Sequence, residues 1–167
     1  MSNPLVAILM GSDSDLPVMN EAVEALKSFG IGYEIHVMSA HRTPHEVADF
    51  ATNARAKGFK VFIAGAGGAA HLGGVIAAHT TLPVIGVPVD STPLNGFDAL
   101  LATVQMPAGI PVATVAVGKA GARNAGILAA QILGVADQTM SDKLTAFKKK
   151  MADGVKEKDA QLQKNIK

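Results

Sequence analysis

The sequence predicts an α/β domain built on a central parallel sheet, and three observations lead to this fold class. Short, continuous apolar runs such as Leu5–Met10 are typical of strands that are buried on both faces of a sheet. Each run is followed by a polar or glycine-rich loop and then by a segment whose apolar residues recur at helical spacing. Because the connections are short, this alternation indicates a doubly wound sandwich of three layers with five parallel strands. The length of 167 residues suits a single domain.

The first strand–loop–helix unit shows the pattern best. After Leu5–Met10, the loop Gly11–Asp15 leads into a helix over Leu16–Phe29, and Gly30 is a typical helix end. Four further units follow along the chain. Their predicted strands are Tyr33–Met38, Lys60–Ala64, Val84–Val87 and Val112–Val117, and their predicted helices are Pro44–Lys57, a short helix from about His71 to Ala78, Phe97–Gln105 and a helix that ends near Gly134.

A different pattern begins after Gly134. Apolar residues recur along one stripe of a predicted amphipathic helix whose other faces are rich in lysine: Met140, Leu144, Phe147, Met151 and Val155. We expect the stripe to pack on its own domain or on a neighbouring subunit, because it is too sparse to indicate a membrane surface. We therefore divide the chain into an α/β domain over 1–135, which holds every candidate catalytic loop, and a C-terminal helical extension of the same domain over 136–167.

Composition argues against several functional classes. The formal net charge is +1, so no broad basic field points to nucleic acid, although the charge is uneven. Residues 1–140 carry 7 Lys/Arg and 10 Asp/Glu, a net of −3, whereas residues 141–167 carry 8 Lys and 4 Asp/Glu, a net of +4. The absence of cysteine excludes thiolate chemistry and disulfides. With neither a basic leader nor a run of about 18 apolar residues, we expect a cytoplasmic protein that does not enter a membrane.

The loop Ser39–Pro44 is the most informative stretch of the sequence. It places His41 beside Arg42 where a predicted strand ends, and in a parallel sheet such loops form the ligand crevice. A histidine can transfer a proton near neutral pH. An arginine can hold a phosphate or carboxylate with two parallel hydrogen bonds. The pair therefore predicts proton-transfer chemistry on a small anionic molecule.

Two further loops belong to the same predicted edge of the sheet. Gly11–Asp15 offers hydroxyls for phosphate and carboxylates for ribose hydroxyls, although helix capping accounts for one of its polar residues. Gly65–His71 fits the dinucleotide pattern G-x-G-x-x-A, with Asp90 about 20 residues further on, but it follows the third strand instead of the first. We expect its backbone to lie flat against a planar ligand. His71 is either a second titrating group or a polar residue at a helix start.

Other chemistries lack their required motifs. The sequence contains neither the ATP-binding pattern G-x-x-x-x-G-K-[ST] nor H-E-x-x-H, and Pro44 separates His41 from His45 at the predicted helix start. A phosphoacceptor receiver domain needs an aspartate after the third strand, where this chain has Ala64–Ala66. We therefore expect no metal and no other cofactor.

The chain resembles the class I PurE family, the N5-carboxyaminoimidazole ribonucleotide mutases. The resemblance spans about Val6 to Leu133 and rests on motifs that occur in the family's order: Met10–Asp15, Ser39–Pro44, Ala64–Leu72, Val84–Pro88, Val104–Pro107, Gly109–Val112 and Gly118–Gly121. One departure is Gly73, where the bacterial pattern usually has proline.

The resemblance implies a flavodoxin-like α/β/α sandwich that assembles as a homo-octamer, with active sites at subunit junctions. It implies a nucleotide substrate and a mutase of purine biosynthesis that moves a carboxylate from the exocyclic nitrogen to C4 of an aminoimidazole ribonucleotide, without cofactors. By motif, the general acid–base is His41, and the substrate-binding residues are Ser12, Ser14, Asp15, Ser39, Arg42, Gly67, Gly68, Ala69, Ala70 and His71. Two alternatives remain open, a related carboxylase that uses free CO2 and a non-catalytic nucleotide-binding module.

Overall fold

The computed structural model describes residues 4–166 and contains a five-stranded parallel sheet with the strand order β2-β1-β3-β4-β5. This order is that of flavodoxin-like sheets, so the predicted fold class is confirmed. The strands are β1 (Val6–Met10), β2 (Tyr33–Val37), β3 (Val61–Gly67), β4 (Val84–Val89) and β5 (Ala113–Thr114). The helices are α1 (Leu16–Phe29), α2 (Pro44–Asn53), α3 (Leu72–His79), α4 (Phe97–Val104), α5 (Gly118–Gly134) and α6 (Gln138–Asn165).

Helices cover both faces of the sheet. On one face, side chains such as Leu9 and Ala64 join a buried cluster with Val47 of α2 and Ile76 of α3. On the other face, α1 approaches β3 so closely that a side chain at Gly65 would collide with Met19. The sheet is therefore the middle of three layers, and its central strands are fully buried because apolar side chains point to both sides.

Three strands differ notably from their predicted bounds, and one of them is β4, which ends at Val89 instead of Val87. β3 continues three residues past Ala64, because Gly65–Gly67 pairs with Val87–Val89 of β4. The glycines that the sequence placed in a loop are therefore partly strand. β5 contains only Ala113–Thr114 instead of Val112–Val117, since it lies at the sheet edge and pairs with β4 alone.

The chain divides into two compact units, the first ending at Ala129 and the second beginning at Ala130. In the second unit, Asp137 caps α6 by accepting the N–H of Met140 at 3.1 Å, and Met140 is buried. Of the predicted stripe, Met151 and Val155 are 50% and 67% exposed. The helix is confirmed, and its membership of the same domain stays a prediction. Every helix within residues 4–166 is too short or too polar to cross a bilayer.

Candidate active site

A pocket of about 400 Å³ lies at the edge of the sheet where the carboxyl ends of β1, β2, β3 and β4 meet. Ligands of doubly wound sheets bind at this edge, and the volume is typical of small-molecule sites. The structure brings together all the predicted site residues except Gly68 and Ala70. The pocket is lined by Ser12, Ser14, Asp15, Ser39, His41, Arg42, Gly67, Ala69 and His71 from that set.

The loop after β1 is a capped turn whose hydroxyls lie at the pocket wall. The N–H of Ser12 donates to Asp15 Oδ2 at 3.2 Å, and the N–H of Ser14 donates to Ser12 Oγ at 3.3 Å, which together form a capping box. Ser14 Oγ also donates to Ser12 Oγ at 2.8 Å. Capping therefore explains more of this loop than the single residue that the sequence predicted. Both hydroxyls line the pocket, but Ser12 Oγ donates to Asp13 Oδ1 at 3.2 Å, so a ligand would receive their protons only by replacing these internal bonds.

Arg42 links the loop after β2 to the loop after β1. Its Nη2 donates to the carbonyl oxygen of Gly11 at 2.6 Å, and its Nε donates to Ser39 Oγ at 3.3 Å. Thr43 Oγ1 accepts the N–H of Ser39 at 2.9 Å and so fixes the turn that carries the arginine. A guanidinium has five N–H donors, and two are used here, so the remaining three can bind an anion. The arginine head is thus held in position before any ligand arrives.

His41 and His71 come from different loops and form a hydrogen-bonded pair. His41 Nε2 lies 2.7 Å from His71 Nδ1, and the two rings meet edge to face with their planes at 71°. Both rings are exposed at the pocket. Because one ring nitrogen must donate and the other must accept, this contact engages His41 Nε2 and His71 Nδ1 and leaves the second nitrogen of each ring for a further partner.

Two glycines of β3 have different reasons to lack a side chain. A Cβ at Gly65 would collide with Met19, so this glycine allows α1 to pack on the sheet. A Cβ at Gly67 would collide with the hydroxyl of Ser91, which lies over the Gly67 backbone at the pocket wall. The glycine-rich pattern therefore has two causes. Gly65 allows close packing of α1, and Gly67 exposes its backbone at the pocket wall.

Gly68 and Ala70 shape the loop without lining the pocket. Gly68 has a φ of +59°, a left-handed conformation that favours glycine, and so turns the chain at the end of β3. Ala70 is buried in the interior. These two residues position Ala69 and His71 at the pocket.

The sequence missed five residues that line the pocket: Gly11, Ala40, Ala66, Leu72 and Ser91. Four of them are neighbours of predicted site residues in the chain, and their position at strand ends was sufficient to predict that they line the pocket. Ser91 follows β4 at the same edge of the sheet, but the predicted strand ended at Val87, which left Ser91 inside a long loop. Asp90, the candidate ribose ligand of a dinucleotide site, does not line the pocket.

Asp15 is the buried carboxyl of the site. Burial raises the pKa of Asp15 above its ordinary value of 3.8, and the N–H of Ser12 opposes this by stabilising the charged form. The negative charge of Asp13 adds to the rise in pKa, whereas the positive charge of Arg42 reduces it. Asp15 is thus a partly desolvated acceptor, which a hydroxyl donor from a ligand would satisfy.

The pocket therefore combines an anion anchor, hydroxyl donors, a buried carboxyl acceptor and a pair of titratable rings. Within residues 4–166, His, Asp and Glu side chains form no cluster of three or more that could hold a metal ion. This set of groups suits acid–base chemistry on an anionic ligand with hydroxyl groups.

The fold defines a flavodoxin-like α/β protein, and its pocket is lined by groups that suit acid–base chemistry on a small anion. The family model for AIR carboxylase matches residues 5–154. The N5-carboxyaminoimidazole ribonucleotide mutase of Mycobacterium leprae (strain TN) is 56% identical over 161 residues, which cover 96% of this chain and 93% of that protein. The mutase of the same name from Thermotoga maritima is 55% identical over 160 residues, covering 96% of this chain and 92% of that protein.

A solved structure is also similar across nearly the whole chain. The crystal structure of Treponema denticola PurE superimposes with a TM-score of 0.86 at 32% identity, covering 95% of this chain and 98% of that chain. The chain belongs to the AIR carboxylase family.

Proposed function

We propose that this protein is an enzyme of purine biosynthesis that converts N5-carboxyaminoimidazole ribonucleotide to 4-carboxy-5-aminoimidazole ribonucleotide. Relatives of that name are about 55% identical over nearly the full chain. The observation that carries the proposal is the position of His41, which places a titratable ring at the pocket beside the anion anchor Arg42 and in contact with His71. A site for binding alone would not need such a ring.

The substrate phosphate binds at the end of the pocket formed by the loops after β1 and β2. The free donors of Arg42 and the hydroxyls of Ser12, Ser14 and Ser39 surround it. Asp15 accepts hydrogen bonds from the ribose hydroxyls, which relieves its partial desolvation. The aminoimidazole then extends toward Gly67, Ala69 and His71.

The reaction is an isomerisation in which the proton returns to its donor. The bond between the exocyclic nitrogen and the carboxylate carbon breaks, the nitrogen takes a proton from His41, and CO2 is released within the pocket. C4 of the ring attacks CO2 and forms the new carbon–carbon bond. The C4 proton then passes to His41, whose ring is neutral after the first step, and this restores both aromaticity and the starting protonation state.

The carbon dioxide must stay in place between the two steps. Ala66, Ala69 and Leu72 give this wall of the pocket apolar side chains, and Gly67 exposes its backbone to the ligand. Such a wall keeps water away from the reacting atoms and holds CO2 near C4, so recapture competes with escape.

A carboxylase that adds free CO2 to the unmodified aminoimidazole nucleotide is the second candidate, and the description of the matching family model favours it. The relatives at about 55% identity carry the mutase name, which favours the mutase.

Purified protein is therefore supplied with each nucleotide, with and without bicarbonate. The mutase turns over the N-carboxylated nucleotide without added bicarbonate. If product forms only from the unmodified nucleotide with bicarbonate, the protein is the carboxylase. If neither nucleotide gives product, the protein is a binding module.

The enzyme acts in the cytoplasm as a homo-oligomer, an octamer by its resemblance to the class I family. Exposed apolar side chains on and beside α4 support assembly, since Phe97 is 61% and Leu101 44% exposed in the single chain. Leu94 and Val104 extend the same apolar surface and are also exposed.

A further inference from the structure

Ser91 stands at the pocket wall with its hydroxyl available to a ligand. It follows β4, two residues beyond Val89, which pairs with Gly67 of β3. Its side chain lies so close to Gly67 that any larger residue at position 67 would force the Ser91 hydroxyl to move. Within residues 4–166, the Ser91 hydroxyl makes no hydrogen bond, although it is exposed at the pocket.

The other hydroxyls of the pocket are already engaged with the protein. Ser14 Oγ donates to Ser12 Oγ, Ser12 Oγ lies 3.2 Å from Asp13 Oδ1, and Ser39 Oγ accepts from Arg42. Ser91 is therefore the pocket serine whose hydroxyl neither donates nor accepts a hydrogen bond in the described part of the chain.

The loop that carries Ser91 is held in position. Thr92 Oγ1 donates to Asp98 Oδ2 at 2.8 Å, and the N–H of Asn95 donates to the carbonyl of Thr92 at 3.0 Å. The methyl group of Thr92 lies beside Gly68, so the segment 91–92 rests on the glycine loop. The backbone beside Ser91 is thus held in position, whereas the Ser91 hydroxyl has no hydrogen bond of its own.

The strand order decides which part of the substrate Ser91 can reach. Arg42 follows β2 and Ser91 follows β4, and β1 and β3 lie between these strands. Because the guanidinium of Arg42 bonds the carbonyl of Gly11 after β1, two strand spacings of together about 10 Å separate it from the end of β4. With the phosphate at Arg42, the end of the nucleotide nearest Ser91 is the base, beside His71 and Gly67.

We infer that the Ser91 hydroxyl donates a hydrogen bond to the migrating carboxylate and holds the released CO2 for recapture at C4. The inference rests on the proposed function. A carboxylate accepts strong hydrogen bonds, and the neighbouring wall of Ala66, Gly67 and Ala69 has no side-chain donor. Ser91 thus acts on chemistry and on CO2 retention, and the phosphate anchor on the far side of the pocket is independent of it.

The test is the variant Ser91→Ala. Its kcat, KM and melting temperature are measured, together with the fraction of substrate that is released as the decarboxylated nucleotide. This fraction is corrected for decarboxylation without enzyme. We expect kcat to fall about 10- to 100-fold, the range for loss of a hydrogen bond to a charged group, with KM within about threefold. The decarboxylated fraction should rise, and the melting temperature should not change, because the hydroxyl has no bond to lose.

Two control variants separate this role from a structural one. Ser28→Ala makes the same chemical change in α1, where the hydroxyl only bonds the carbonyl of Ala25, and it should leave kcat and the decarboxylated fraction unchanged. Thr92→Val breaks the bond to Asp98 and should lower the melting temperature. If Ser91→Ala lowers the melting temperature as much as Thr92→Val does, and if the two variants have the same kcat, KM and decarboxylated fraction, then the role of Ser91 is structural. That result would overturn the inference.

Wild-type kcat and decarboxylated fraction in Ser91→Ala, or a rise in KM alone, would also overturn the inference and leave the proposed function intact. If the wild-type protein does not convert the N-carboxylated nucleotide at all, the proposed function fails and the inference fails with it.

Discussion

His41 Nε2 and His71 Nδ1 lie 2.7 Å apart, although the two residues are 30 positions apart in the chain. His41 is held by the loop after β2, and His71 is the residue that precedes α3. The two rings are not equivalent in the pocket. His41 directly precedes Arg42 in the chain, whereas His71 comes from the loop before α3. We therefore propose that His41 is the ring that reaches the reacting nitrogen and C4, and that His71 orients it.

We expect His41→Asn to lower kcat by at least about 10², the range for loss of a general acid–base, while nucleotide affinity stays within a few-fold. His71→Asn should keep measurable turnover, since Asn can still bond His41 Nε2. Single-turnover kinetics and separate nucleotide binding on both variants check this. A nearly active His41→Asn would contradict the mechanism, and an inactive His71→Asn would show that both rings transfer protons.

Arg42→Lys should weaken substrate binding more than it slows chemistry. Lysine keeps the charge but cannot bond Gly11 and the phosphate with a planar head, so we expect a loss of roughly 1.5–3 kcal/mol of binding, seen as a rise in KM. Arg55→Lys is the matched control, because Arg55 bonds Thr81 outside the pocket and should leave KM unchanged. An unchanged KM with a collapsed kcat in Arg42→Lys would assign Arg42 to the chemical step.

Asp15→Asn should stabilise the protein at pH 7 while weakening substrate binding. Burial raises the pKa of Asp15 in the folded state, so between its ordinary value of 3.8 and the raised value the folded protein binds more protons than the unfolded chain. The contribution of this group to stability therefore falls as pH rises through that window, and Asn avoids the loss while still accepting the N–H of Ser12.

Melting temperatures of the wild-type protein and Asp15→Asn across pH 4 to 8 check this prediction. The difference should be largest near neutral pH and shrink as the wild-type carboxyl becomes protonated in acid. If the two proteins differ by the same amount at every pH, the charge of Asp15 is not the cause. We also expect KM to rise about tenfold, because a neutral amide is a weaker acceptor for ribose hydroxyls than a carboxylate.

The double variant Phe97→Ser, Leu101→Ser should shift the protein to smaller species in solution. Both side chains are more than one-third exposed in the single chain, and their replacement removes apolar area from an interface without disturbing the core. Sedimentation or light scattering measures the mass. An unchanged mass would mean that α4 does not lie in the assembly interface.

The sequence predicted the elements best where local chemistry decides them. The bounds of α1 were correct, because an apolar helical pattern lies between the capped turn after Met10 and the left-handed Gly30. The extension of β3 through Gly67 was missed, because glycines read as loop and only the pairing with β4 and the packing of Met19 show why they are strand.

The site was predicted less completely, for a similar reason. Loops at adjacent strand ends, such as those that carry Ser12 and Arg42, follow from the periodic pattern. The bond between His41 and His71 and the position of Ser91 over Gly67 depend on how loops from different units meet. No spacing in one sequence shows such contacts.

The transfer of a labelled carboxylate tests the central claim most directly. The protein is supplied with N5-carboxyaminoimidazole ribonucleotide that carries ¹³C in its carboxylate, in buffer with excess unlabelled bicarbonate, and the product is analysed by mass spectrometry after a short reaction. If the pocket retains CO2 between the two steps, most of the product carries the label at the C4 carboxylate. Product that is fully unlabelled would mean that the carboxylate comes from solution, and this would contradict the mutase mechanism.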